Sequence, residues 1–346
     1  MSIMTVSGIV DESDLGVIAP HEHVFIDIRN QFSEFSEATK RALSEQEVSI
    51  NNLDILSRNP YALKDNLVLN DIKTAEEELL YFKKAGGRTV VDATSIGIGR
   101  DPEALRDIAV KLGLNIIAGS GYYTQDTHPK DMNQKKVEEI AREIINDIKK
   151  GISGTDVRAG VIGEIGTSEE IHPNEKKVLI ASAKAQSETG VAIITHTYPW
   201  GKKGLEAINI LEKNGANINK VSINHIDVEI DIEYCEKIMD SGAYIEFDDF
   251  GKEYFIDKRY RGFAGGVFAR DIERVDTIKK LIELGYIDKI LLSCDICLKT
   301  LLHKYGGWGY DHILKNIIPM LKEKNITDDQ ISKLIKDNPK EFISIT

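Results

Sequence analysis

Cysteine is scarce in this sequence: three in 346 residues, at Cys235, Cys294 and Cys297. So few, and an odd number, exclude a disulfide framework and point to a reducing compartment. An excess of positive charge is also missing. Lys and Arg total 44 against 56 Asp and Glu, a net charge of −12, which argues against nucleic acid or an anionic membrane as partner. A small anionic substrate held by a few local cations stays compatible with that balance. No apolar run is long enough to span a bilayer. Residues 1–14 lack the basic segment and apolar run of a signal peptide, so a cytoplasmic protein is expected. There is no linker, low-complexity tract or short-period repeat, and one domain over residues 1–346 is expected.

What is present is an alternation. Apolar, β-branched runs at Val17–His23, Arg88–Ser95, Asn115–Tyr123, Ala159–Gly166, Val191–Thr197, Val221–Asp227, Ala243–Asp249 and Lys289–Asp295 read as strands. Several are almost continuously apolar, as strands covered on both faces are. Between them lie helical periodicities. One is Val137, Ile140, Ala141, Ile144 and Ile148 before Gly151; others are Asn174–Thr189 before Gly190 and Ile272–Leu284 before Gly285. Thr327 with Gln330 forms a capping box for a short C-terminal helix. Eight strands alternating with helices predict a single (β/α)8 barrel more than an open doubly wound sheet. Two long connections, Asp27–Asn70 and Phe250–Arg270, would leave its C-terminal rim, where substrates bind in this fold.

The chemistry-bearing residues fall at the predicted strand ends. His21 and His23 lie two apart, so both imidazoles share one side of the first strand. Glu164, His196, His225 and Asp295 end the fourth, fifth, sixth and eighth strands. Each follows an apolar run, where a charge or imidazole is costly unless coordinated or paired. Six ligand-type side chains at corresponding positions predict a metal site rather than a structural polar network.

These residues carry a resemblance. Pro20-His21-Glu22-His23, Asn59-Pro60-Tyr61-Ala62-Leu63, Gly119-Ser120-Gly121-Tyr122-Tyr123, Gly163-Glu164-Ile165-Gly166, Thr195-His196-Thr197, Gly309-Tyr310-Asp311-His312 and Asp337-Asn338-Pro339 make the chain similar to the phosphotriesterase-like family of the amidohydrolase superfamily, over nearly its full length. The resemblance implies two divalent metal ions. The more buried takes His21, His23, Asp295 and a bridging carboxylate; the more exposed takes the same bridge with His196 and His225. Many members bridge with a carboxylated lysine. This chain has Glu164 there and resembles the branch that bridges with glutamate.

A nitrogen and oxygen ligand set suits zinc and also accepts manganese, cobalt or iron. A divalent ion lowers the pKa of bound water toward about 7, which makes hydroxide available near neutrality. Asp295 is the candidate general base. Tyr123, His128, Lys252 and Tyr254 are candidate substrate contacts. Lys252 fits relatives that hold the phosphate of a phosphorylated sugar lactone near this loop; Lys299 is a partial substitute for an arginine common in such relatives at Leu298, and Arg259 reads as solvated loop charge.

The expected activity is hydrolysis of a lactone or carboxylic ester. Phosphoester or phosphotriester hydrolysis on the same metals is the alternative, and a non-catalytic metal-binding barrel is the alternative of another class. Relatives are often dimers, so a homodimer is compatible. His172, His303 and His312, the Cys294/Cys297 pair, Asp92 and Asp227 read as structural, and Trp200 and Trp308 as aromatic packing or pocket walls.

Overall fold

A computed structural model describes residues 2–32, 34, 41–256 and 265–345. Eight parallel strands form one sheet, with neighbours following chain order. They are β1 (Val17–Glu22), β2 (Gly87–Asp92), β3 (Asn115–Ser120), β4 (Ala159–Thr167), β5 (Ile193–Thr197), β6 (Val221–Ile223), β7 (Tyr244–Phe247) and β8 (Ile290–Leu292). The sheet curls until β8 meets β1. There the Ser293 hydroxyl accepts from the His21 N–H (3.1 Å) and bonds the His21 carbonyl oxygen (2.5 Å). The buried Glu22 carboxylate accepts from the N–H groups of Cys294 (2.9 Å) and Ile296 (2.8 Å). These side chains tie the seam of a nearly closed barrel.

Alternation along the strands separates two cores. Val91, Ile117, Val161, Ala192, Ile194, Tyr244 and Leu291 point inward and pack with Ile3, Leu15 and Phe342. Val90, Ile116, Ile162, Ile193, Ile223, Ile245 and Ile290 point outward, into the larger core under the helices. Both faces are therefore covered, which explains the unbroken apolar runs. The outer layer includes α1 (Ile72–Lys84), α2 (Pro102–Leu112), α3 (Val137–Lys149), α4 (Pro173–Thr189), α5 (Gly204–Lys213), α6 (Ile232–Asp240) and α7 (Asp271–Glu283). Asp101 caps α2 by accepting from the Ala104 N–H, and Gly113 ends it at φ 61°, a backbone conformation that costs glycine little. α4 and α7 each begin one residue before the predicted span, and Thr327 makes the expected capping box with Gln330.

All but one of the predicted strands run longer than those observed, most of all at β6 and β8, which stop at Ile223 and Leu292; β4 instead runs one residue past the predicted Gly166. Their last predicted residues leave the sheet because His225 and Asp295 adopt left-handed backbone, φ 59° and 43°. Such angles are uncommon outside glycine and persist where surrounding contacts over-determine them. Here they swing two ligand-type side chains over the barrel mouth. Part of the 27–70 connection has its own small core of Val48, Leu56, Ala62 and Leu63. Arg259 lies outside the described residues. Among those described, no helix is long and apolar enough to cross a membrane.

Candidate metal centre and active site

Two triads of donor atoms form the floor of the barrel mouth: His21, His23 and Asp295, and Glu164, His196 and His225, with all atoms of each within 4.8 Å of one another. In the first, the His23 Nε2 lies 3.1 Å and the His21 Nε2 3.7 Å from Asp295 Oδ1. Glu164 spans both groups. Its Oε1 is 3.7 Å from His21 Nε2, 2.9 Å from His196 Nδ1 and 3.0 Å from His225 Nε2, and its Oε2 is 3.6 Å from His23 Nε2. All six side chains are buried.

Neighbouring groups fix which nitrogen three of the four rings present. Thr94 donates its hydroxyl to the Phe25 carbonyl, so the Nδ1–H of His23 donates to Thr94 Oγ1 at 2.8 Å and frees Nε2 for the floor. Asp248 receives His21 Nδ1 at 3.1 Å and His225 Nδ1 at 3.2 Å. Such outer carboxylate and hydroxyl partners are what orient ligating histidines. The fit to a divalent cation rests on these donors. His21 Nε2 is buried with no hydrogen-bond partner. Facing oxygens at 3–4 Å match donors that each sit about 2 Å from a shared ion.

Charge follows from this crowding. Burial alone would raise the pKa of Asp295, but Lys252 above all, then His23 and His21, hold it well below the usual carboxylate range. Glu164 is depressed in the same way by His196, His225 and His21. Burial would also neutralise Lys252, and Asp249 and Asp295 reverse that. Its ammonium, 6% exposed, bonds Asp295 Oδ2 and lies 2.9 Å from Asp249 Oδ1.

Above the floor opens a narrow pocket, lined among others by Tyr61, Tyr123, Lys252 and Tyr254, with Ile26, Ile28, Val228, Phe268 and Leu298 as apolar wall. The Tyr123 hydroxyl is 3.2 Å from His196 Nδ1 and accepts from Gln31 Nε2 at 3.2 Å. Tyr123, Lys252 and Tyr254 thus share a pocket with the ligand-type residues. His128 does not line it: its Nε2 donates to the Tyr123 carbonyl at 2.8 Å and so supports that loop. Lys299 points elsewhere, to Asp65 at 2.5 Å. Cys297 does reach the pocket, its Sγ 3.8 Å from Asp295 Oδ2.

The residues read as structural have structural partners. Asp92 accepts from the N–H of Val24 and Thr94, His303 pairs with Asp311 and His312 with Asp271, and Trp200 packs edge-on against Phe268. Sequence reasoning passed over Asp248, Asp249 and Glu246. The first two follow β7 directly after an apolar run, in the sequence context of the six ligand-type residues, so the same signal marked them. Glu246, buried beneath Asp248, has no hydrogen bond at either oxygen, and burial pushes its pKa well up.

A sequence profile of the Phosphotriesterase family matches residues 1–343. An N-acetyltaurine hydrolase of Danio rerio is 38% identical over 345 residues, 99% of this chain and 97% of that protein. The crystal structure of a resiniferatoxin-binding protein from Rhodobacter sphaeroides superimposes with a TM-score of 0.95 at 33% identity, covering 100% of this chain and 96% of that one. A mutant of a PTE-like lactonase from Deinococcus radiodurans gives 0.76 at 27%, covering 99% and 100%.

Proposed function

The chain belongs to the phosphotriesterase family of metal-dependent hydrolases, and from that premise we propose that it hydrolyses a carboxylic amide: a small N-acyl derivative of an amino-alkyl acid. N-acetyltaurine is the lead compound. The observation that carries this reading is Lys252, a buried ammonium inside the pocket and beside Asp295. An anionic tail on the substrate would have a desolvated counter-charge there, and the small apolar wall suits a short acyl group. The relative from Danio rerio, named for such an amide, adds independent support. This moves the expected bond from ester or lactone to amide, while carbonyl attack remains.

Two divalent cations, with zinc the first choice, would be held by His21, His23, Asp295, Glu164, His196 and His225, and would supply Lewis acidity and a low-pKa water. The chain's own residues do the rest. Asp295 accepts the proton of the attacking water and returns it to the departing nitrogen. Lys252 holds one oxygen of Asp295 and keeps the carboxylate aimed at the floor. Tyr123, fixed by Gln31, can donate to the substrate carbonyl oxygen beside His196.

The test is a substrate panel on zinc-loaded protein: N-acetyltaurine, neutral N-acetyl amides, sugar lactones and an aryl phosphotriester. The reading expects N-acetyltaurine to have the highest kcat/KM, with activity abolished by chelation and restored by zinc. A lactone preferred by about 100-fold would overturn it in favour of the lactonase reading, which the Deinococcus radiodurans structure favours.

A further inference from the structure

Behind Lys252, on the side away from the pocket, lies a guanidinium with no solvent contact. Arg274 sits in the first turn of α7 and is 0% exposed. Its Nε donates to Asp227 Oδ2 at 2.9 Å, its Nη1 to Asp271 Oδ1 at 2.9 Å, and its Nη2 to the carbonyl oxygen of Lys252 at 3.4 Å. The two carboxylates pass this grip on to the loop after β7. Asp227 Oδ2 also accepts from the Asp249 N–H (3.2 Å), and Asp271 Oδ1 from the Gly251 N–H (3.0 Å). Arg274 therefore fixes the backbone of Asp249, Gly251 and Lys252, directly or through one carboxylate.

The opposite side of the same loop faces the chemistry, where Lys252 reaches Asp295 and Asp249. Burying an arginine among carboxylates is often no more stabilising than apolar packing at the same place. Packing alone therefore gives no reason for an arginine here, whereas a rigid fork that fixes three partners at set angles does. His312 of Gly309-Tyr310-Asp311-His312 holds Asp271 Oδ2 through its Nε2 at 2.7 Å, and the Tyr310 hydroxyl donates to the His23 carbonyl at 2.7 Å.

We propose that Arg274 is a positioning residue of the active site, aiming Lys252 at the pocket through Asp227 and Asp271. This inference rests on Lys252 being the contact for the anionic end of the substrate. A double-mutant cycle separates the two ideas. Methanesulfonate is titrated into zinc-loaded wild type, Lys252→Met, Arg274→Lys and the double variant, with kcat and KM on N-acetyltaurine as a second readout.

Each single variant is expected to lose about tenfold or more in methanesulfonate affinity and to raise KM in step, as loss of a charge-assisted contact does. The double variant is expected to lose no more than one single variant. Wild-type affinity in Arg274→Lys, or a full second loss when Arg274→Lys is added to Lys252→Met, would overturn the positioning role alone. Wild-type affinity in Lys252→Met would overturn the anion reading and this inference with it. If Arg274→Lys does not fold, Asp271→Asn takes its place in the cycle. It keeps an acceptor for Gly251 and removes the charge that holds Arg274, and the same non-additivity is expected.

Discussion

The two ends of the barrel are built from the same inward-pointing positions and differ in what those positions hold. Along the fifth strand run Ala192, Ile194 and His196; along the seventh, Tyr244, Glu246 and Asp248; along the eighth, Leu291, Ser293 and Asp295. Two steps along each strand turn an apolar contact into a ligand or a support for one. At the N-terminal end, Ile3, Leu15, Phe342 and Tyr244 fill the interior with hydrocarbon and aromatic rings. At the C-terminal end, buried histidines and carboxylates face one another at 2.8–3.9 Å. The first arrangement is stable by itself. The second is tolerable only because each charge has a counter-charge or a cation to meet. Stability and chemistry are thus segregated along one axis, as the fold generally arranges them.

Single substitutions at the floor should have the largest effects. Asp295→Asn keeps shape and removes the proton acceptor, so kcat should fall by about 10³-fold or more with two metal equivalents still bound. Glu164→Gln should instead lose the metal held with His196 and His225, since both triads draw on that carboxylate. Elemental analysis beside single-turnover kinetics checks both. Near-normal turnover in the first, or two tightly held metals in the second, would show that the floor is not divided this way.

The apolar end should respond in the opposite manner. Phe342 is fully buried, with its ring 5.2 Å from that of Tyr244. Phe342→Ala should cost about 3–5 kcal/mol of stability, read from denaturant midpoints, while kcat per folded molecule stays at the wild-type level. A loss of kcat in the folded fraction would mean that the two ends are mechanically coupled.

Much of this contrast was legible in the sequence. Continuous apolar runs marked the doubly covered strands. The histidines and acids just past them marked the floor, because a charge placed there is costly until a cation or a counter-charge meets it. The ends of β6 and β8 were not legible, since left-handed backbone at His225 and Asp295 is imposed by tertiary contacts and leaves no local pattern. Nor was the orienting layer. Asp248 is remote in sequence from His21 and His225, and although Asp271 is only three residues from Arg274, only folding brings the Arg274 fork to Asp227 and Lys252. The two lysines near the mouth show the same limit: the family resemblance marked both Lys252 and Lys299, and only the side-chain directions separate them.

A finer test uses proton linkage. In the metal-free protein burial would depress His21, but Asp248, Glu164, Asp295 and Glu246 outweigh it and raise its pKa to about 10. The ring is then protonated at neutral pH and must lose its proton to ligate. Metal affinity should therefore rise with pH, by about tenfold per unit for each proton released, up to that pKa. The same raised pKa gives the metal-free fold extra stability that is fully present below about 6.5 and is lost as pH rises through about 10. Calorimetric titration of zinc at several pH values, in buffers of different ionisation enthalpy, counts the protons; a pH-independent affinity would exclude a protonated floor.

The smallest expected effect is at Lys299, the lysine that faces outward. It pairs with Asp65 in a partly exposed setting, side chains 18% and 28% exposed, where an ion pair contributes little, about 0–1 kcal/mol. Lys299→Met should leave kcat, KM and methanesulfonate affinity at wild-type values and shift the denaturant midpoint only slightly. The measurement matters because the two lysines carry the same charge within one rim. If Lys299→Met weakened anion binding as much as Lys252→Met, recognition would come from the summed field of the rim rather than from one aimed ammonium. An effect confined to Lys252 means that geometry, set from behind by α7, decides what the pocket accepts.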